Sequence, residues 1–137
     1  MELKVNGTTL FGEIVGDGTP CLCLHGGPGT DSSGLRRTLA PLAEALQLRL
    51  IVYDHRGHGC SEWVPVEQCT HDQLVADVEG VRQALGLGRV HVLGISWGGF
   101  LALMYAARYP QAVTTLAVVG AAASREFMPR AEANARA

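Results

Sequence analysis

The stretch Gly94-Ile95-Ser96-Trp97-Gly98-Gly99 decides the fold. Before it runs Arg89-Val90-His91-Val92-Leu93, short, apolar and β-branched, which reads as a strand. After it comes Phe100-Leu101-Ala102-Leu103-Met104-Tyr105-Ala106-Ala107, rich in helix formers. A serine with glycines two residues before and two after, set between a strand and a helix, has the pattern of a nucleophile elbow. Such a turn is tight, and a Cβ at position 94 or 98 is expected to collide with the neighbouring strand or helix. The strain lifts Ser96 Oγ above the carboxyl end of the sheet, where the following helix aims its first N–H groups at developing negative charge.

Upstream, strands and helices alternate. Leu3-Lys4-Val5 and Leu10-Phe11-Gly12-Glu13-Ile14-Val15 flank Asn6-Gly7, a hairpin signal. Cys21-Leu22-Cys23-Leu24 is apolar without alternation, as in a strand covered on both faces. It ends in the loop His25-Gly26-Gly27-Pro28-Gly29. Ser32 or Ser33 can cap a helix whose apolar face is Leu35, Leu39, Leu42, Ala43 and Leu46, with Pro41 expected to kink or delay it. Leu50-Ile51-Val52-Tyr53 reads as a buried strand delivering the charged loop Asp54-His55-Arg56-Gly57-His58-Gly59-Cys60-Ser61. Thr70-His71-Asp72-Gln73 has the form of a capping box, followed by the stripe Leu74, Val78, Val81 and Leu85, with Gly86 or Gly88 as the stop. Val113–Val119 is a further strand beyond Pro110.

This alternation predicts an α/β domain with a mostly parallel sheet, an N-terminal hairpin and helices on both faces. The expected organisation is a core over 1–123 and a polar, alanine-rich tail over 124–137. In such sheets ligands sit above the carboxyl ends of the strands. The glycine loop, the 54–61 loop and the elbow all fall at that end.

Composition narrows the function classes. The chain has 137 residues and a net charge of −2, which gives no footprint for nucleic acid or an anionic membrane. The first residues lack the basic and apolar regions of a secretory signal, and no apolar run reaches membrane-spanning length. The expectation is a soluble cytoplasmic protein without disulfides. Cys21 and Cys23 face one side of a strand, Cys60 and Cys69 lie in a loop, and no second ligand pair at metal spacing follows. Neither a metal nor a cofactor is expected. The glycine loop is not G-x-G-x-x-G, because Pro28 interrupts it, and the chain holds no Walker motif. It reads instead as the second half of an oxyanion hole, with the Gly27 N–H partnering the N–H of Trp97. Asp54 and Arg56 read as residues that tie their loop together.

Three blocks carry a family resemblance: His25-Gly26-Gly27-Pro28-Gly29, Asp54–Ser61 and Gly94–Gly99. In their order and spacing the chain resembles the N-terminal half of a serine α/β-hydrolase, closest to the proline iminopeptidase (prolyl aminopeptidase) branch. The resemblance extends to about Ala123. It implies Ser96 as nucleophile with Gly27 and Trp97 as oxyanion donors, and a fold lacking the family's cap and C-terminal strands. One position departs from the pattern, since the family usually has Gln where this chain has His55.

The resemblance also implies an acid and a histidine after the nucleophile. The residues after Ser96 include Glu126 and Glu132 but no histidine, and His25, His55, His58, His71 and His91 all precede it. His91 is expected at the wrong end of the sheet and His71 too far from the serine. His25, His55, His58 or a residue from another chain stay open as the general base, with His25 also read as ordering the oxyanion loop. The apolar, uncharged strand 113–119 is expected to lie at an edge and to promote homo-oligomers. Three functions follow as expectations: a serine hydrolase acting on small carboxylic esters or amides, an inactive assembly or binding module, and a proline iminopeptidase fragment.

Overall fold

The computed structural model describes residues 1–124. Asn6 and Gly7 take positive φ values of 46° and 76°. This is the backbone of a tight two-residue hairpin turn, and it folds β1 (Glu2–Val5) back onto β2 (Thr8–Val15) with Val5 opposite Thr8. The chain continues through β3 (Thr19–Leu24), α1 (Ser33–Ala45), β4 (Leu48–Tyr53), α2 (His71–Ala84), β5 (Val90–Ile95), α3 (Trp97–Arg108) and β6 (Val113–Val119). The expected tail, 124–137, lies outside the described residues except for Ser124.

The six strands form one sheet in the order β1-β2-β4-β3-β5-β6. β1 and β2 are antiparallel additions, whereas β4, β3, β5 and β6 run parallel. The chain leaves β3 in one direction to reach β4, then crosses back to place β5 on the other side. The carboxyl ends of β3 and β5 therefore flank a topological switch point, the usual location of a ligand crevice. The glycine loop leaves β3 there and the elbow leaves β5 there.

Helices cover both faces. On one face, Leu74, Val75, Val78 and Val81 of α2 and Leu101, Ala102 and Tyr105 of α3 pack on Leu22, Leu24, Ile51 and Val92. On the other, Leu35, Leu39 and Ala43 of α1 pack on Cys21, Cys23, Leu50 and Val52. The buried central strands explain the unbroken apolar run at Cys21–Leu24.

Local details depart from expectation in four places. α1 runs through Pro41 to Ala45, because the lost N–H bond does not outweigh packing on both sides of it. Its first amides are not capped by a serine hydroxyl. The Asp31 carboxylate accepts from the Ser33 N–H at 2.8 Å and Asp54 from the Ser32 N–H at 2.7 Å. A carboxylate near a helix start offsets the dipole as well as the free donors. Leu42 and Leu46, assigned to the apolar face, are 44 % and 60 % exposed. They border a groove of about 370 Å³ toward Leu93 and Ala117, because α1 reaches over β3 and β4 but not over β5 and β6. At α2 the Thr70 hydroxyl accepts from the Gln73 N–H as expected. The Gln73 amide, however, turns toward Asp77 rather than back to the cap.

The elbow is packed against backbone on all sides. A Cβ on Gly94 would meet the Gly98 carbonyl, and one on Gly98 would meet the carbonyls of Leu24 and His25. Neither obstacle is a side chain that can swing away. Gly98→Ala is expected to destabilise the domain by about 2–4 kcal/mol, an overpacking and backbone-strain cost. Gly34→Ala, where a Cβ has open space within α1, is expected to be neutral or stabilising by up to about 1 kcal/mol. Urea unfolding midpoints check both, and equal midpoints for the two variants would contradict this account.

Candidate active site

Ser96 occupies φ 54°, ψ −122°, a strained conformation for a residue with a Cβ. Its N–H donates to the Val119 carbonyl at 2.8 Å, and its carbonyl accepts from Gly99 and Phe100 at 2.9 and 3.3 Å. The elbow is thus fastened to β6 on one side and to the first turn of α3 on the other. The Ser96 side chain faces solvent, and its Oγ has no hydrogen-bond partner among the described residues. Gly26 lies directly beside it, since a Cβ there would sit 3.0 Å from Ser96 Cβ and 3.7 Å from Oγ.

The glycine loop is oriented from behind. The Gly26 carbonyl accepts from Thr30 Oγ1 at 2.6 Å and is 3.0 Å from His25 Nδ1. A trans peptide fixed by its oxygen has its N–H fixed in the opposite direction, so these contacts aim the Gly27 amide. Gly27 is at φ 59°, where glycine carries no steric cost. Neither the Gly27 nor the Trp97 amide donates to an acceptor among the described residues.

The 54–61 loop supports both segments. Asp54 Oδ1 holds the Ser32 N–H and Oδ2 the Cys60 N–H at 2.8 Å, bridging the start of α1 to the loop's far end. Ser61 Oγ donates to the Asp54 carbonyl at 2.6 Å. Arg56 is buried and makes a two-pronged ion pair with buried Asp77 of α2, at 2.5 and 2.7 Å. Asn6 of the hairpin turn donates to the same carboxylate at 2.9 Å. The tying roles expected of Asp54 and Arg56 are present, but Arg56 pairs with Asp77, which sequence reasoning missed. The available signal was an acid three residues after Leu74, on the stripe that continues through Val78 and Val81 (a charge placed on a buried face).

The histidines separate by their ring nitrogens. His25 Nε2 accepts from the His55 N–H at 3.2 Å, so Nδ1 carries the proton it gives to the Gly26 carbonyl. Both His25 nitrogens are committed. His55 is buried, with Nε2 3.4 Å from the His25 carbonyl and Nδ1 without a partner. His58 is half-buried and donates from Nδ1 to the Arg56 carbonyl at 2.8 Å, which leaves Nε2 as a free acceptor. His71 lies against the elbow helix, accepting from Trp97 Nε1 at 3.3 Å. His91 is the second residue of β5, 2.6 Å from Thr115 Oγ1, at the sheet end opposite the elbow. Among the described residues no cluster of three or more His, Cys, Asp or Glu side chains could hold a metal, and no helix is long and apolar enough to cross a membrane.

Burial holds the pKa of His25 below its ordinary value and that of His55 well below it. The unfolded chain then binds protons that the native state refuses, so stability falls as pH drops below the ordinary value of 6.5. Replacing His55 by an amide removes one such group. Urea titrations between pH 7.5 and 5.5 are expected to show a smaller acid-induced loss of stability for His55→Gln than for wild type. Equal losses would contradict it.

Comparison with known proteins agrees with this fold. The family model described as alpha/beta hydrolase fold matches residues 19–136. A proline iminopeptidase of Lactobacillus delbrueckii subsp. bulgaricus is 41 % identical over 122 residues, covering 83 % of this chain and 41 % of the relative. A proline iminopeptidase-related protein of Thermus thermophilus superposes with a TM-score of 0.81 at 31 % identity, covering 88 % of this chain and 44 % of that one. An esterase from Exiguobacterium antarcticum superposes with a TM-score of 0.79 at 31 % identity, covering 89 % and 45 %. The chain therefore spans less than half the length of these relatives. With a matching family model over most of its length, the chain belongs to the alpha/beta hydrolase fold family.

Proposed function

We propose that this chain carries the nucleophile half of a serine hydrolase acting on small carboxylic esters or amides. The observation that carries the reading is Ser96 itself, strained at positive φ and solvent-facing beside Gly26, with its Oγ and the amides of Gly27 and Trp97 without hydrogen-bond partners among the described residues. Ser96 Oγ attacks the acyl carbon, and the carbonyl oxygen gathers negative charge. The N–H groups of Gly27 and Trp97 stabilise that charge, helped by the start of α3. The leaving alcohol or amine departs with a proton, and water then releases the acyl group. Proline iminopeptidase relatives at 38–41 % identity and an esterase neighbour support esters and amides as the substrates to test.

The proton of Ser96 requires an acceptor. Of the three rim histidines, His58 alone is half-exposed with one nitrogen held by backbone and the other free, the arrangement a general base needs; His55 also has a free nitrogen, but it is buried. A second reading, a binding or assembly module without turnover, is favoured by one observation: no imidazole is hydrogen-bonded to Ser96 Oγ among the described residues.

The outermost strand β6 supports a partner as well. It carries no charged side chain, Thr114, Thr115, Ala117 and Val119 are exposed, and its outer edge is unpaired among the described residues. We infer that a second copy pairs along it.

Two measurements test these readings. A fluorophosphonate probe is expected to label wild type and not Ser96→Ala, with hydrolysis of a p-nitrophenyl ester falling to background in the variant. Turnover at equal rates in both would refute the hydrolase, and absence of label in a folded sample would favour the binding module. By sedimentation velocity at micromolar concentration, wild type is expected as a dimer or larger and Ala117→Lys as a monomer. A monomeric wild type would remove the pairing.

A further inference from the structure

We infer that His71 is a positioning residue for the elbow, acting through the indole of Trp97. The inference rests on the hydrolase reading for its catalytic arm and on the geometry alone for its structural arm.

Trp97 is the first residue of α3 and directly follows Ser96. Its backbone amide is one of the two proposed oxyanion donors. Its indole is bracketed by imidazoles, with ring centroids 5.4 Å from His55, 5.7 Å from His58 and 6.2 Å from His71. Ring contacts of this kind are soft in direction. The one directional tether on the indole among the described residues is Nε1–H to His71 Nε2 at 3.3 Å.

His71 is well placed to supply it. It is the first residue of α2, downstream of the Thr70 cap that fixes the start of the helix. Its ring also packs on Phe100 of α3, at 5.5 Å between centroids. One residue on, Asp72 forms an ion pair with Arg108 of α3, so the α2–α3 interface is pinned at a second point. The tether thus runs from an anchored helix start to the residue adjoining the strained serine.

The chemistry requires a neutral imidazole. To accept from an indole N–H, His71 Nε2 must present its lone pair, with the proton on Nδ1. The other titratable or charged groups facing this assembly are His58 and His55 across the indole, and Asp72 with Arg108 at the α2–α3 contact. Among side chains that do not titrate, Gln carries a carbonyl oxygen able to replace Nε2 as acceptor, whereas Leu fills space without one.

The experiment uses the Trp63→Phe background. Trp63 is an exposed residue outside the site, and its replacement leaves Trp97 as the single tryptophan. His71→Leu is expected to shift Trp97 emission and to lower kcat on a p-nitrophenyl ester about three- to ten-fold with KM nearly unchanged, the scale of one partly exposed neutral hydrogen bond. His71→Gln is expected to stay within about two-fold of the parent and to keep the parent emission. Superimposable emission and kcat for parent and His71→Leu would overturn the inference. So would equal losses in the Leu and Gln variants, which would mark a packing role. If Ser96→Ala leaves turnover intact, the hydrolase reading fails, and the emission comparison still decides whether His71 holds the indole.

Discussion

The fold turns on a steric constraint: three glycines at the elbow let backbone meet backbone where any side chain would intervene. Gly98 lies against the carbonyls of Leu24 and His25, and Gly94 against Gly98. Strand β3, strand β5 and helix α3 therefore converge within van der Waals distance of Ser96. Gly99 extends the same contact to β6, where a Cβ would strike Ala121 and crowd Val118. Close approach of this kind has no attractive bond of its own. It matters because it leaves room for a single arrangement, so the strain at Ser96 is held by the packing of the glycines around it while its side chain faces solvent.

Around that point the rim loops are held by charge. The Arg56–Asp77 pair is buried on both sides, and burying two charges is expensive unless their hydrogen bonds are met. Here the pairing is two-pronged and Asn6 adds a further donor, so one carboxylate gathers the hairpin turn, the rim loop and α2. Asp54 does the same between α1 and the end of the loop. Such pairs contribute less to net stability than to specificity of arrangement, because removing either partner strands a buried charge. In this molecule they set where the His25 and His58 rings stand relative to the elbow.

Much of this was legible in the sequence. Asn6-Gly7 announces its hairpin, Val113–Val119 its strand and Gly94–Gly99 its turn, because each rests on local chemistry that a short window contains. The exposure of Leu42 and Leu46 was not legible. Helical spacing reports which residues share a face, but what covers that face is a tertiary fact. The same holds for Asp77, whose partner lies 21 positions upstream, and for the Asp31 and Asp54 carboxylates that displaced the serine caps. His71 is the clearest case. Its place near the elbow follows from how α2 packs on α3, which no spacing along the chain encodes.

The histidines carry the argument about chemistry to its last step. Catalytic bases are recognised less by residue type than by an uncommitted lone pair on a ring held by its other nitrogen. By that criterion the rim histidines fall into different classes. His25 spends both nitrogens on backbone and so shapes the Gly26–Gly27 peptide. His55 is buried and kept neutral, a packing residue for Tyr53 and Trp97. His71 spends its acceptor on the indole. His58 alone on the rim combines a free acceptor with partial exposure, with Nδ1 anchored to the Arg56 carbonyl, whereas the unpartnered Nδ1 of His55 is buried. The constraint that positions the serine and the charges that position the loop therefore leave one half-exposed imidazole with an uncommitted lone pair, the rim group best fitted to take the Ser96 proton in the proposed reaction.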